Sequence, residues 1–133
     1  MKYLIDTQIL IWFQISPNKI KNEILDIIQD TSNQIFISDI SLFEITIKQN
    51  IKKLPEFPVK LDDIIFNALK NDFSFIGLTH KLFSVYLELA LHEYHKDPFD
   101  RMIISTALAE EITIISSDEK FLLYNHLVKI IKA

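Results

Sequence analysis

Apolar residues recur along this chain in two different patterns. Five short runs rich in isoleucine and in other β-branched or aromatic residues are typical of buried strands, and they cover residues 2–5, 34–38, 73–78, 112–116 and 128–131. Between these runs, apolar residues recur every three to four positions and predict helices over residues 7–13, 18–30, 40–51, 60–71, 79–92 and 98–110. Strand and helix therefore alternate along the chain.

This alternation predicts an α/β fold. Strands that are buried on both faces and joined by helical crossovers pair in parallel, with helices packed on each side of the sheet. We therefore expect three layers, with a central parallel sheet of about five strands flanked by helices. Residues 1–133 fit a single domain, because the clearest break, "LPEFP" at residues 54–58, is too short to separate two.

The amino-acid composition limits the kinds of functional site that the chain can form. The 133 residues are 49% hydrophobic and include no cysteine, which excludes a disulfide framework, a thiol nucleophile and a zinc–thiolate site. The formal charge is −4 and Arg101 is the single arginine, so composition alone argues against nucleic-acid binding. The apolar run at residues 9–13 is too short to span a membrane, and we recognise no signal peptide. We expect a cytoplasmic protein with no membrane partner.

Acidic residues follow the predicted strands at the edge where α/β proteins bind ligands, outside the carboxyl ends of the strands. Asp6 follows the first strand, Asp39 and Glu44 follow the second, and Asp118 follows the fourth. Because parallel strands end at one edge of the sheet, we expect Asp6, Glu44 and Asp118 to converge there.

Two more aspartates belong to this edge. In "HKDPFDRMIIS", residues 95–105, Asp97 and Asp100 begin the helix that leads into the fourth strand. Carboxylates that share one cleft repel each other unless a divalent cation neutralises them. Oxygen ligands and the absence of thiols favour Mg²⁺ or Mn²⁺ over zinc.

Each of these acids also has a purely structural interpretation. Asp6, Asp39 and Asp118 fit the N-cap position of a helix, and Ser41 with Glu44 matches the S-x-x-E capping box. Likewise, Asp97 fits an N-cap that is followed by Pro98 as the first helical residue and by Asp100 as a first-turn anion. Helix caps need not lie close together. Acids that line one common cleft would therefore favour a ligand site over the purely structural interpretation.

Four blocks of sequence extend over nearly the whole chain: "YLIDTQILIW", "ISDISLFEITIKQNIKKL", "HKDPFDRMIISTALAE" and "IISSDEKF". In their order and spacing they resemble the signature blocks of PIN-domain ribonucleases, specifically the VapC-type toxins of toxin–antitoxin pairs. Two positions depart from the usual pattern: Ser116 stands where threonine is usual, and Phe43 stands where tryptophan is frequent. Neither departure removes an acidic residue.

The resemblance implies a PIN-like fold, a metal-dependent endoribonuclease activity and a set of site residues. Asp6, Glu44 and Asp100 match the three core metal-binding acids, and Asp118 matches the fourth. The resemblance also implies supporting roles for Thr7, beside the first acid, and for Asp97, a frequent but less central aspartate. It further implies a homodimer and a neutralising antitoxin.

Candidate RNA contacts lie close to these blocks in sequence. They are Lys48, Lys52, Lys53, Lys96 and Arg101, although surface lysines are more often simply solvated. His95 either supports the turn at Asp97–Asp100 by hydrogen bonding or is an ordinary histidine near a helix end. The run "HEYH" is not a zinc-protease motif, because its histidines are three rather than four positions apart.

Two other functions remain possible from the sequence. A phosphoreceiver signalling domain has a similar length, a parallel sheet and an acidic metal site, but it requires an acidic pair after the first strand and an aspartate after the third. Here a single Asp6 follows the first strand, and Thr79 and His80 follow the third. The other alternative is a PIN-like binding module that has lost catalysis, against which the intact acids argue.

Overall fold

The structure, a computed structural model, describes residues 1–93 and 95–133. Within this part of the chain, five strands form one sheet in the order β3-β2-β1-β4-β5, and every neighbouring pair is parallel. The strands are β1 (Lys2–Ile5), β2 (Gln34–Ser38), β3 (Ser74–Ile76), β4 (Thr113–Ser116) and β5 (Ile130–Lys132). The predicted five-stranded parallel sheet is confirmed.

Helices connect the strands and cover both faces of the sheet. They are α1 (Thr7–Ile15), α2 (Asn22–Gln29), α3 (Asp39–Asn50), α4 (Leu61–Lys70), α5 (His80–Glu88) and α6 (Pro98–Glu110), with 3₁₀ segments at Pro17–Lys19 and Glu119–Tyr124. Every helix among residues 1–93 and 95–133 is too short or too polar to span a bilayer.

The core consists of two apolar clusters separated by the sheet. Alternate residues of β1 point to opposite faces, so Ile5 packs with α1, α2 and α4 whereas Leu4 packs with α5 and α6. Isoleucines of β4 divide in the same way, with Ile115 on the first face and Ile114 on the second. The three-layer arrangement predicted from the sequence is therefore confirmed.

Several elements are shorter than the sequence predicts. β3 covers three residues because it pairs with Phe36–Ser38, where β2 ends, and residues beyond Ile76 have no strand to pair with. The helix predicted over residues 79–92 ends at Glu88. The helix predicted over residues 18–30 divides into a 3₁₀ turn and α2, because Ile20 adopts an extended conformation.

The strand order contradicts the phosphoreceiver alternative. Receiver domains have the order 2-1-3-4-5, in which the third strand lies beside the first. Here β3 lies at the outer edge beside β2, and β1 pairs with β2 and β4. The carboxyl ends of β1, β2 and β4 are thereby adjacent, which places the residues that follow them side by side.

Candidate functional site

A cleft of about 240 Å³ opens at the carboxyl edge of the sheet. Five acidic residues line it: Asp6, Glu44, Asp97, Asp100 and Asp118. The rest of the lining consists of Thr7, Gln8, Lys48, Ile11, Ile45 and Leu54. The predicted convergence of Asp6, Glu44 and Asp118 is confirmed by this arrangement. Asp39 is exposed and is not part of the lining.

Asp6 lies at the centre of the cleft, directly after β1. Its Oδ1 accepts a hydrogen bond of 2.8 Å from the Ile9 amide and so caps α1, and its Oδ2 accepts one from the Ser116 hydroxyl. The residue is 4% exposed. Burial raises the pKa of Asp6 to about 6 against these two hydrogen bonds, and the charges of Asp100 and Asp118 raise it further.

Glu44 faces the cleft from the interior of α3. The Thr7 hydroxyl lies 2.8 Å from Glu44 Oε1, and Lys48 Nζ donates to Oε2 at 2.8 Å. The cap of α3 is Ser38, whose hydroxyl accepts from the Ile40 amide. The capping box of Ser41 with Glu44 and the cap at Asp39 are therefore wrong.

Lys48 supplies a positive charge at the rim of the cleft. Its side chain is 46% exposed, and one turn of α3 separates it from Glu44. The pKa of Lys48 is raised above its usual value, chiefly by the hydrogen bond to Glu44 and also by the charges of Asp97 and Asp100. This lysine therefore offsets part of the negative charge that the carboxylates bring together.

Asp97 and Asp100 occupy the first turn of α6. Asp97 Oδ1 accepts from the amides of Phe99 and Asp100 at 2.8 and 3.1 Å, and Pro98 is the first helical residue. The predicted helix start is confirmed. Because Asp100 also lines the cleft, its place in the first turn and its place in an acidic cluster are compatible.

His95 contacts a carboxylate oxygen of Asp100. Its Nε2 lies 3.1 Å from Asp100 Oδ2, and its side chain is buried. Burial raises the pKa of Asp100 to about 6, the contact with His95 lowers it, and the Asp97 charge raises it. Of the two interpretations of His95, the structure therefore favours hydrogen-bonded support of the turn.

Tyr124 also belongs to this region, and sequence reasoning did not identify it. Its hydroxyl lies 2.9 Å from His95 Nδ1. The one signal in the sequence is a tyrosine three positions after Phe121, which is the spacing of two buried residues on one helix face. His92 and His95 form an isolated β-bridge and not part of a helix, in agreement with the rejection of a zinc-protease motif.

Asp118 follows β4 and lines the cleft. It caps the 3₁₀ segment Glu119–Tyr124, because Oδ1 accepts from the Lys120 amide at 2.9 Å. Its own amide donates to the Ser116 hydroxyl oxygen, which connects it to Asp6 through one shared side chain. The predicted cap is confirmed here too.

Arg101 does not face the cleft, and its assignment as an RNA contact is wrong. The side chain is 2% exposed. Its Nη2 donates to the Leu89 carbonyl at 2.9 Å, and its Nη1 donates to the Ala90 carbonyl at 3.0 Å. The guanidinium also lies over the Tyr86 ring at 5.1 Å. Arg101 thus anchors the carbonyls that directly follow α5.

The lysines predicted to contact RNA are all at the surface. Lys52, Lys53 and Lys96 are exposed, and Lys48 lines the cleft. Lys52 and Lys53 directly follow α3, the helix that carries Glu44. Lys52, Lys53 and Lys96 are thus at the surface, in contrast to Arg101, whereas Lys48 is paired with Glu44.

The donor set of the cleft fits a hard divalent cation in its chemistry, because it consists of carboxylate and hydroxyl oxygens. The charges of Asp100 and Asp118 raise the pKa of Asp6, which is the repulsion that a cation would relieve. As the side chains are placed, no three Asp, Glu or His residues among 1–93 and 95–133 surround a common point. Both carboxylate oxygens of Glu44 are instead in contact with Thr7 and Lys48.

Comparison with known proteins identifies the family. A family model described as the PIN domain matches residues 3–127. The chain belongs to the PIN domain family. No curated protein matches it significantly by sequence.

Solved structures share the fold of this PIN domain at low identity. VapBC from Salmonella typhimurium, solved bound to DNA, has a TM-score of 0.67 at 17% identity, covering 99% of this chain and 98% of that one. VapBC2 from Rickettsia felis, bound to a promoter DNA fragment, has a TM-score of 0.65 at 19% identity, with coverages of 99% and 98%. A toxin–antitoxin complex from Klebsiella pneumoniae has a TM-score of 0.63 at 19% identity, with coverages of 98% and 96%.

The buried carboxylates predict a specific pH dependence of stability without metal. Between the usual aspartate pKa of 3.8 and the raised value of about 6, folded Asp6 retains a proton that the unfolded chain releases. The free energy of unfolding should therefore fall as pH rises through this window, and this contribution should stay at its minimum above it. Asp6→Asn should reduce the fall in the free energy of unfolding across this pH window by about 1–3 kcal/mol.

Denaturant unfolding in EDTA at a series of pH values measures this effect. Asp26→Asn is the matched control, because Asp26 is an exposed aspartate on α2. The control should reproduce the wild-type profile. A profile for Asp6→Asn that superimposes on the wild-type profile would contradict the raised pKa.

Proposed function

We propose that this PIN domain is an endoribonuclease that cleaves RNA phosphodiester bonds with Mg²⁺ or Mn²⁺ bound in the acidic cleft. The observation that carries the proposal is the convergence of Asp6, Glu44, Asp100 and Asp118 in one cleft at the carboxyl edge of the sheet. The raised pKa values of Asp6 and Asp100 support it, because charge repulsion and burial of this kind are typical of functional sites.

The acids have distinct proposed roles. Asp6, Glu44 and Asp100 would hold the metal ion, and Asp118 would hold a second ion or act on the first through water. When bound, such an ion activates water and polarises the phosphoryl oxygen. To hold an ion, these carboxylates must be fixed in place. Hydrogen bonds from the Ile9 amide, the Thr7 hydroxyl and the His95 ring restrain Asp6, Glu44 and Asp100, respectively.

Other residues would support the site without binding the ion. Thr7 restrains Glu44, Asp97 fixes the start of α6, and His95 restrains Asp100. Lys48, which lines the cleft, and the exposed Lys52, Lys53 and Lys96 are the proposed contacts with the RNA backbone. They would give an acidic protein a local positive surface where the substrate enters.

We propose further that the protein acts as the toxin of a toxin–antitoxin pair in the cytoplasm. The support is the family, together with toxin–antitoxin and VapBC structures that share the fold over nearly their whole length. A toxin of this kind requires a neutralising antitoxin, which we expect to be a protein encoded beside it.

An apolar groove beside the cleft supports a homodimer. It has a volume of about 450 Å³ and is lined by Ile40, Phe43, Phe83, Tyr86, Pro98, Phe99 and Met102. Phe43 and Phe83 are 56% and 50% exposed, and contiguous apolar surface of this kind marks protein–protein contacts. Phe43 precedes Glu44 and Phe99 precedes Asp100, so pairing of two copies here would place both clefts near the interface.

Metal-dependent cleavage is the direct test of the nuclease. Total cellular RNA should be degraded with Mg²⁺ or Mn²⁺ and remain intact in excess EDTA, because the clustered carboxylates repel a phosphate unless a cation is present. Asp6→Asn and Glu44→Gln keep the size of each side chain and remove its charge. Each should lower the rate by at least about 100-fold, measured by gel electrophoresis of labelled RNA.

Exposed acids on α2 provide matched controls. Asp26→Asn and Glu23→Gln remove the same charges away from the cleft and should leave the rate unchanged. Undiminished cleavage in EDTA would overturn the metal dependence. A folded protein that binds RNA but never cleaves it would favour the binding-module alternative.

The toxin role predicts a growth phenotype. Expression of the wild type alone should arrest growth, and Glu44→Gln should relieve the arrest because it removes a proposed metal ligand, whereas Glu23→Gln should not. Co-expression of the neighbouring protein should restore growth. Turbidity measures the arrest, and sequencing of new RNA 5′ ends after a brief pulse identifies the target. Equal toxicity of the wild type and Glu44→Gln would contradict the proposed role.

The dimer proposal predicts a mass change on a single substitution. The wild type should have twice the chain mass by light scattering after size exclusion, and Phe43→Asp should be a monomer, because an ionised carboxylate would be buried in the interface. Phe66→Asp is the control, since Phe66 is an exposed aromatic residue on α4 and does not line the groove. A dimer that persists in Phe43→Asp would place the interface elsewhere.

A further inference from the structure

We propose that Tyr124 is a positioning residue for the acidic cleft, which orients the His95 ring so that its Nε2–H donates to Asp100. Four side chains form a continuous series from the interior to the cleft. Arg101 Nη1 lies 3.2 Å from the Tyr124 hydroxyl, which lies 2.9 Å from His95 Nδ1, and His95 Nε2 lies 3.1 Å from Asp100 Oδ2. The direction of each hydrogen bond follows from the chemistry of these groups.

The two ends of the series set its direction. A guanidinium group only donates hydrogen bonds, so the Tyr124 oxygen accepts from Arg101. An ionised carboxylate only accepts, so His95 Nε2 carries a hydrogen that it donates to Asp100. Both end groups therefore require the same direction, from the arginine towards the aspartate.

The direction of the hydrogen bond between Tyr124 and His95 follows from the two ends of the series. The Tyr124 hydroxyl has one hydrogen of its own, and among the described residues His95 Nδ1 is the acceptor placed to receive it. Nδ1 is then unprotonated, and His95 is the tautomer with its hydrogen on Nε2. In a neutral histidine, the hydrogen bond that one ring nitrogen makes determines whether the other carries the hydrogen. Tyr124 thus acts on Asp100 through His95.

Burial and packing restrain the series. Tyr124 is 0% exposed, and His95 and Arg101 are each 2% exposed, so exchange with solvent does not compete for these hydrogen bonds. The Phe121 ring packs on His95 with centroids 6.0 Å apart. Tyr124 is the last residue of the 3₁₀ segment that Asp118 caps. The series therefore connects the segment that carries Asp118 with the helix turn that carries Asp100.

The tautomer is testable in the metal-free protein. Long-range ¹H–¹⁵N correlation spectra at mildly alkaline pH, where Asp100 is ionised, resolve the ring nitrogens of the chain's four histidines. His95→Gln identifies the His95 signals, and His80→Gln and His126→Gln, at exposed positions, assign two others. We expect hydrogen on Nε2 and none on Nδ1. Hydrogen on Nδ1 of the wild type would overturn the proposal, whatever the variants do.

Tyr124→Phe tests the positioning role, since it removes the hydroxyl and keeps the ring. The Nδ1 signal of His95 should move towards the position of a nitrogen without a hydrogen-bond donor, and the Nε2–H should exchange faster with water. Tyr86→Phe is the control, because Tyr86 also packs on Arg101 and should leave both signals unchanged. An unchanged Nδ1 signal in a folded Tyr124→Phe protein would show that Tyr124 does not orient His95.

The consequence for the cleft rests on the proposed metal-dependent function. Tyr124→Phe should weaken Mn²⁺ binding by about 10-fold relative to the wild type, measured by calorimetry, because residues behind a ligand orient it. If the wild type binds no Mn²⁺, the proposed function fails while the tautomer is still decided by the spectra. If Mn²⁺ binds equally well to both proteins, the positioning role fails and the nuclease proposal stands.

Discussion

A carboxylate buried at the end of the central strand is the constraint around which this molecule is built. Asp6 follows β1, which lies in the middle of the sheet, and the charges of Asp100 and Asp118 act on it. Burial of an unpaired charge opposes folding, so the ionised form requires donors close to both oxygens. The Ile9 amide and the Ser116 hydroxyl are those donors. The start of α1 and the end of β4 are therefore tied to the same side chain.

The other acids of the cleft are held by the same kinds of contact. Asp97 and Asp118 cap the helical segments that follow them, and Glu44 is held between Thr7 and Lys48. Each carboxylate thus has a local structural partner as well as a place in the cleft. Helix capping stabilises the fold, whereas burial, and to a lesser degree the neighbouring charges, raises the pKa values of Asp6 and Asp100 and so opposes their ionisation in the folded protein. Structural and chemical roles coincide in the same residues.

The two sides of α3 and α6 serve different surfaces. Glu44 and Asp100 face the acidic cleft, whereas the preceding residues Phe43 and Phe99 face the apolar groove and contact each other with ring centroids 6.3 Å apart. Neighbouring positions on a helix point about 100° apart, so one helix can present a polar and an apolar surface at adjacent residues. The acidic cleft and the apolar groove are therefore built on the same two helices.

The sequence by itself determined the alternation of strands and helices, the limits of β2 and α6, and the placement of acids at strand ends. Local periodicity carries this information, because it records which face of each element is buried. It also pointed to the caps at Asp6, Asp97 and Asp118, since a cap depends on residues two or three positions away. Ser38 was missed as the cap of α3 because the adjacent Asp39 is an equally good candidate by residue type.

Only the tertiary structure decided the contacts between distant segments. Ser116 and Asp6 are 110 positions apart, and Thr7 and Glu44 are 37 apart. Arg101 reads as a surface cation in the sequence, yet packing buries it against carbonyls that the end of α5 leaves free. Tyr124 has no motif around it, and its hydroxyl meets His95 because the strand order brings the 3₁₀ segment beside α6. Such partners depend on how the layers pack, which local patterns do not encode.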